Sequence, residues 1–232
     1  MLCLLAAVAG LGTAAGPARS TALLKADLVR ACALCDRGFS ARPATRRRID
    51  ELVQQLIPLS DVEDCTAGLD GTIDGRPTPI VALWELVYTD AADVIALGAN
   101  PFIVVGSVYQ DIRQPPVSLN LIELSPRGLN AQLSLDTTFR LKVSTRAYVR
   151  SPKRAGLSFE QVGGTPLTFL GAAILPSFAP PSLNLPSSQE QAETGRAYFD
   201  IKYLDEDMLI IKQSSPGGYF VSVRASDFSN DE

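Results

Sequence analysis

Apolar positions along the chain keep two different rhythms, and the change between them divides the sequence. Leu24, Leu28, Ala31, Cys32 and Cys35 fall on one helical stripe, and Asp36-Arg37-Gly38 supplies a glycine stop. Pro43 opens a second helix, along which Ile49, Leu52, Val53 and Leu56 recur at i, i+3, i+4 and i+7. Residues 21–60 therefore form a helical preface. Residues 61–78, with Gly68, Asp70-Gly71, Asp74-Gly75 and Pro77, read as a linker.

From Ile80 the period becomes two. Trp84, Leu86 and Tyr88 share one face of a first strand, and residues 102–112 and 117–124 are apolar, β-branched runs. In residues 131–143, Leu133, Leu135, Phe139, Leu141 and Val143 alternate with polar neighbours, as a strand with one wet face requires. Leu157 and Phe159 continue the pattern. Strands return at Phe199-Asp200-Ile201-Lys202-Tyr203, at 208–211 and at Tyr219-Phe220-Val221, after the Gly217-Gly218 turn. About eight strands without crossover helices predict a mostly β fold: an antiparallel sandwich or up-and-down barrel over residues 79–225, preceded by two short α-helices. A barrel of about eight strands leaves room for one small ligand.

Residues 163–196 lose both periods. Gly163-Gly164, Pro166, Pro176, Pro180-Pro181 and Pro186 interrupt apolar residues that include Phe169, Leu170 and Phe178. A Pro-rich loop of this length in a compact domain is a lid, a binding loop or an insert. Its apolar side chains suit a lipid-facing surface; the alternative is a plug in the barrel's own end.

Composition narrows the chemistry. The 232 residues carry 21 Lys and Arg against 25 Asp and Glu, a net charge of −4, so there is no basic excess to neutralise nucleic-acid phosphates. The chain has no histidine, which removes Ser-His-Asp and Cys-His catalysis and histidine metal ligation together. No enzyme, cofactor or metal site is expected. Cys32 and Cys35 form a C-x-x-C inside a helical pattern; buried packing, redox contact with Cys65 and metal binding remain open for it. Asp205-Glu206-Asp207 reads as a solvated hairpin turn, with cation binding and acid–base work as rivals. The short apolar stretch within residues 1–20 fits a targeting leader, a truncated transit peptide or a structural helix.

Two segments carry a family likeness: Leu83-Trp84-Glu85-Leu86-Val87-Tyr88-Thr89 with the run from Pro101-Phe102-Ile103 to Gln110-Asp111-Ile112, and Tyr203-Leu204-Asp205-Glu206-Asp207 with Tyr219-Phe220-Val221 after it. Together they resemble the plastid lipid-associated protein (fibrillin) family across about residues 24–225. Ala82 stands where the family often has glycine, and Leu209 where many members have arginine. The resemblance implies a lipocalin-like barrel in plastids, at plastoglobule or thylakoid surfaces, that binds or organises prenylquinones, carotenoids or similar lipids without catalysis. A second implied role is accessory protein to a plastid prenylquinone-synthesis enzyme, presenting or sequestering its product. If the strands close a cavity, its expected aromatic wall is Trp84, Tyr88, Phe102, Phe139, Phe159, Phe199, Tyr203 and Tyr219, with Leu135; plain core packing is the alternative for each.

Overall fold

The computed structural model describes residues 20–72, 74–127, 137–169, 172–173, 183–184, 198–214 and 217–226. Two helices come first, α1 (Thr21–Ala33) and α2 (Pro43–Leu56), with a 3-10 turn at Ile57–Leu59. Strand β1 (Leu83–Thr89) leads into a short helix α3 (Ala92–Gly98). Then come β2 (Ile103–Asp111), β3 (Val117–Pro126), β4 (Thr138–Ser151) and β5 (Arg154–Phe169). The two-residue strands β6 (Ala172–Ala173) and β7 (Leu183–Asn184) pair with β5, and β8 (Tyr198–Leu204), β9 (Met208–Gln213) and β10 (Tyr219–Arg224) follow. The sheet runs β4-β3-β2-β1-β10-β9-β8-β5, and an additional β4–β5 pairing closes it. The result is an antiparallel, lipocalin-like barrel with eight strands in its wall: of the sandwich and barrel that the period-two pattern allowed, the chain forms the barrel, as the family resemblance implied. Helix α3 was not anticipated, because the stretch 92–98 is too short to show a periodic stripe.

Both helices lie on the outside of β1, β8, β9 and β10. Leu24, Leu28, Cys32, Ile49, Leu52, Val53 and Leu56 form one buried cluster with Tyr88, Tyr203, Met208, Ile210 and Val221. At about 25 cal/mol per Å² of apolar surface, this contact is what makes two helices of this length stable. Two bulges supply its aromatic half. On β1, Leu86 pairs with Ser222 but Tyr88 already pairs with Val221, so Val87 is the extra residue. On β8, Ile201 pairs with Ile211 but Tyr203 with Ile210, so Lys202 is extra. One added residue reverses every later side chain, which turns Tyr88 and Tyr203 from the barrel interior to the helices.

Polar contacts fix the preface in place. The Lys25 ammonium bridges Asp205 at 2.8 Å and Asp207 at 3.1 Å, and the Tyr203 hydroxyl donates to Asp205 at 2.6 Å. The Asp205-Glu206-Asp207 turn is thus more than a solvated hairpin: it holds α1 to the barrel. Between the helices, Asp36 and Arg37 adopt φ of 44° and 54°, and Gly38 follows at 102°. A Cβ on Gly38 would sit 1.9 Å from the Thr89 carbonyl oxygen, so the loop reaches β1 only because that residue is glycine. The Thr89 N–H donates to the Arg37 carbonyl, and the Arg37 guanidinium reaches the Val105 carbonyl on β2 at 2.8 Å.

One end of the barrel is shut. Residues 65–69, expected as part of a linker, are buried: Cys65 and Leu69 pack with Ile80, Trp84, Ile112 and Ala147, and the Cys65 N–H donates to the Pro152 carbonyl at 2.7 Å. The Trp84 indole N–H donates to the Ile80 carbonyl at 2.9 Å, and the Arg224 guanidinium stacks 5.1 Å from the Trp84 ring. The expected loop from 163 also begins later than its composition suggested. Strand β5 runs through Gly163, Gly164 and Pro166 to Phe169, with Pro166 opposite Phe139 at an irregularity in the register. Proline is tolerated where the ladder is already broken.

Candidate ligand-binding site

Inward-facing side chains from all eight barrel strands leave a cavity of about 230 Å³. Leu86, Val108, Ile122, Val143, Leu157, Ile211 and Phe220 form most of its wall, and Phe159 and Phe199 complete it. Phe199 and Phe220 meet edge to face with centroids 5.9 Å apart. Gln110, Asn120, Gln213 and Ser222 add polar groups. Beneath lies a smaller space of about 30 Å³ that shares Gln110, Leu157, Phe199 and Ile211 and is floored by Leu69, Ile80 and Ile112. The cavity is therefore blind at the Trp84 end and faces α3 at the other.

Helix α3 stands over the open end, with Asp93 and Val94 in the cavity lining. It is held by the Gln213 amide donating to Asp93 at 3.1 Å and by the Tyr219 N–H donating to Asp90 at 2.6 Å. Gly218 lets β10 approach: a Cβ there would meet the Ala91 nitrogen at 2.6 Å. The same end exposes apolar side chains, Phe102 at 76% and Phe139 at 40%, together with Leu97 and Val104.

The expected aromatic wall is therefore divided. Phe159 and Phe199 line the cavity, with Phe159 still 44% exposed. Trp84 lies under the floor, fully buried in the cluster that shuts the barrel. Tyr88 and Tyr203 face the helices because of the two bulges. Tyr219 faces them as well, its hydroxyl accepting from the Gln54 amide at 3.0 Å, because Phe220 and Ser222 hold the inward positions of β10. Phe102 and Phe139 stand at the exposed rim. Leu135 lies outside the described residues, as do Leu170, Phe178 and the targeting stretch 1–19, while for Phe169 only the backbone is described. Gln110 and Asn120 were not among the expected wall residues; their signal in the sequence is two amides interrupting apolar strand runs.

The cysteines and the acidic turn take part in packing and in ion pairs. Cys32, Cys35 and Cys65 are free and buried, and burial pushes the Cys32 thiol up to about 12. Burial also raises Cys35, whose thiol donates to the Cys32 carbonyl at 3.1 Å, and Cys65. Burial works against the charge on Asp205, but Lys25, Tyr203 and two backbone N–H groups outweigh it and hold the carboxyl below the usual range. Lys25 is correspondingly raised: burial opposes its charge, and its two carboxylates prevail. Among the described residues no three Cys, Asp or Glu side chains gather as a metal site.

The family model PAP_fibrillin matches residues 22–222. The chain belongs to the PAP/fibrillin family. The match covers both helices of the preface and nearly the whole barrel, so the preface is part of the family domain. The chain is also 30% identical over 152 residues to a protein of Arabidopsis thaliana named probable plastid-lipid-associated protein 2, chloroplastic. That alignment covers 63% of this chain and 44% of the relative, so the chain spans less than half of the relative's length.

Proposed function

We propose that this fibrillin-family chain binds a single apolar lipid, of the prenylquinone or carotenoid kind, inside the barrel and works without catalysis at a plastoglobule or thylakoid surface. The observation that carries the reading is the blind cavity lined by every strand of the wall, with Asp93, at the mouth, the sole charged residue among the described residues that line it. Family membership supports a lipid-associated role, and the chloroplastic relative supports a plastid setting. Among the described residues no helix is long and apolar enough to cross a membrane, and the rim residues Leu97, Phe102, Val104 and Phe139 offer a peripheral contact instead. Inserting a Phe or Leu side chain into an apolar phase gains about 1.5–3 kcal/mol, so a few together hold a protein reversibly on lipid. The apolar residues Phe169, Leu170 and Phe178 are proposed to extend that surface.

The test is direct. Protein isolated from plastids is washed free of membrane, extracted with organic solvent and examined by mass spectrometry. One neutral lipid near equimolar amount supports the reading. Extracts with the same lipid profile as a non-binding control protein contradict it.

A further inference from the structure

Of the polar side chains in this largely apolar chamber, two stand together at its floor, while Gln213 bonds Asp93 at the mouth. Gln110 on β2 and Asn120 on β3 are register partners, and both line the main cavity. Gln110 also lines the small space beneath, so the pair marks the boundary with the closed end. Below it, the Ser118 and Thr145 hydroxyls lie 2.9 Å apart and satisfy each other. The side-chain amides of Gln110 and Asn120 make no hydrogen bond within the described residues. Both residues are half-buried, so a guest that displaces water from the chamber must itself hydrogen-bond these amides or leave them unpaired. Each amide offers both donors and an acceptor, which matches a carbonyl or hydroxyl oxygen. Among the described residues that line the chamber the charged one is Asp93, an anion, which disfavours an anionic head. Its about 230 Å³ is below the roughly 300 Å³ at which pockets begin to enclose drug-sized ligands. It holds a ring-sized group and a short piece of chain; the rest must leave through the mouth beside Val94 and the exposed Phe159.

We infer that the cavity takes a neutral amphiphile head first, its carbonyl or hydroxyl oxygens hydrogen-bonded by Gln110 and Asn120 and its hydrocarbon chain leaving past α3. This rests on the lipid-binding reading above and adds which end of the lipid enters and what recognises it. Two probes of similar size separate the contributions: a decyl-substituted benzoquinone and decylbenzene, which lacks the oxygens. In the Q110L/N120L double variant the quinone should lose about tenfold or more in affinity, while decylbenzene stays within about twofold. Equal losses for both probes, or none for the quinone, would overturn the inference. A second measurement needs no variant. Trp84 is the single tryptophan and lies beneath the floor, so a quinone brominated on its ring should quench it more than one brominated at the chain end. Stronger quenching from the chain end would show tail-first entry and refute the proposal. Failure of both probes to bind the unaltered chain would instead remove the lipid-binding reading itself.

Discussion

Replacing Asp205 by alanine removes one carboxylate that four donors share. One oxygen accepts from Lys25 at 2.8 Å and from the Tyr203 hydroxyl at 2.6 Å; the other accepts from the N–H groups of Asp207 and Met208 at 2.9 and 2.8 Å. Tyr203 is buried in the cluster under the helices, so its hydroxyl loses its acceptor away from water. An unsatisfied buried donor costs about 1–3 kcal/mol, and the loss of the partly solvated Lys25 pair adds less, since its side chain is 19% exposed. A total of about 1–4 kcal/mol follows, and at about 2–4 °C per kcal/mol for a domain of this size the thermal midpoint falls by roughly 2–16 °C. Asp207→Ala is the internal control. That side chain is 77% exposed, so its contact with Lys25 contributes at most about 1 kcal/mol. Urea unfolding followed by circular dichroism measures both. The pH dependence has a defined sign. Because the folded-state pKa of Asp205 is lowered, its contribution is complete above the unfolded value near about 3.9 and is lost as pH falls through the folded one. The gap between the parent and Asp205→Ala should therefore hold from neutrality to about pH 5 and shrink below about pH 4. Equal effects at 205 and 207, or a gap that survives full acidification, would refute the argument.

Other outcomes follow from the same structure. Gly38→Ala should be among the most disruptive single changes, because the added Cβ meets the Thr89 carbonyl oxygen at 1.9 Å, whereas Gly75→Ala meets nothing within 4 Å and should cost about 1–3 kcal/mol from its positive φ alone; soluble yield and thermal midpoint compare them. In a Cys3→Ser background, a thiol reagent at pH 8 should leave native Cys32, Cys35 and Cys65 unlabelled and label all three in urea; fast native labelling of Cys32, whose thiol is pushed up to about 12, would contradict its burial. Replacing Cys32 and Cys35 together by alanine should cost roughly 1–3 kcal/mol of stability through lost packing and leave lipid binding unchanged, which titration and urea unfolding check side by side.

The switch from helical period to strand period near Ile80 marked the preface and an antiparallel β domain, because each element has one long apolar face, but a sandwich and a barrel share that pattern. What the pattern cannot show is which way a face points once both sides of a strand are covered. Phe220 faces the cavity while Tyr219 and Val221 face the helices, and all three are apolar neighbours on β10. Bulges hide in the same way, since Val87 and Lys202 look like ordinary strand residues but send Tyr88 and Tyr203 outward. The closing segment 65–69 misled for another reason: Gly68 and the neighbouring Asp70-Gly71 and Asp74-Gly75 signal turns, and turns say nothing about burial. The Asp-Arg-Gly element was legible as a helix stop, but its role in welding the preface to β1 appears only in three dimensions.

On the proposed function, the space inside the barrel is a ligand site and not a packing defect. Titration of the chain with a neutral fluorescent hydrocarbon, diphenylhexatriene, alongside Ser222→Phe, tests it most directly. Ser222 is buried on β10 and lines the cavity, so a phenyl ring there takes up part of the space. The account predicts saturable binding of about one probe per chain in the parent and at least about tenfold weaker binding in Ser222→Phe, with both proteins folded by circular dichroism. No saturable binding to the parent, or equal binding to the filled variant, would contradict it.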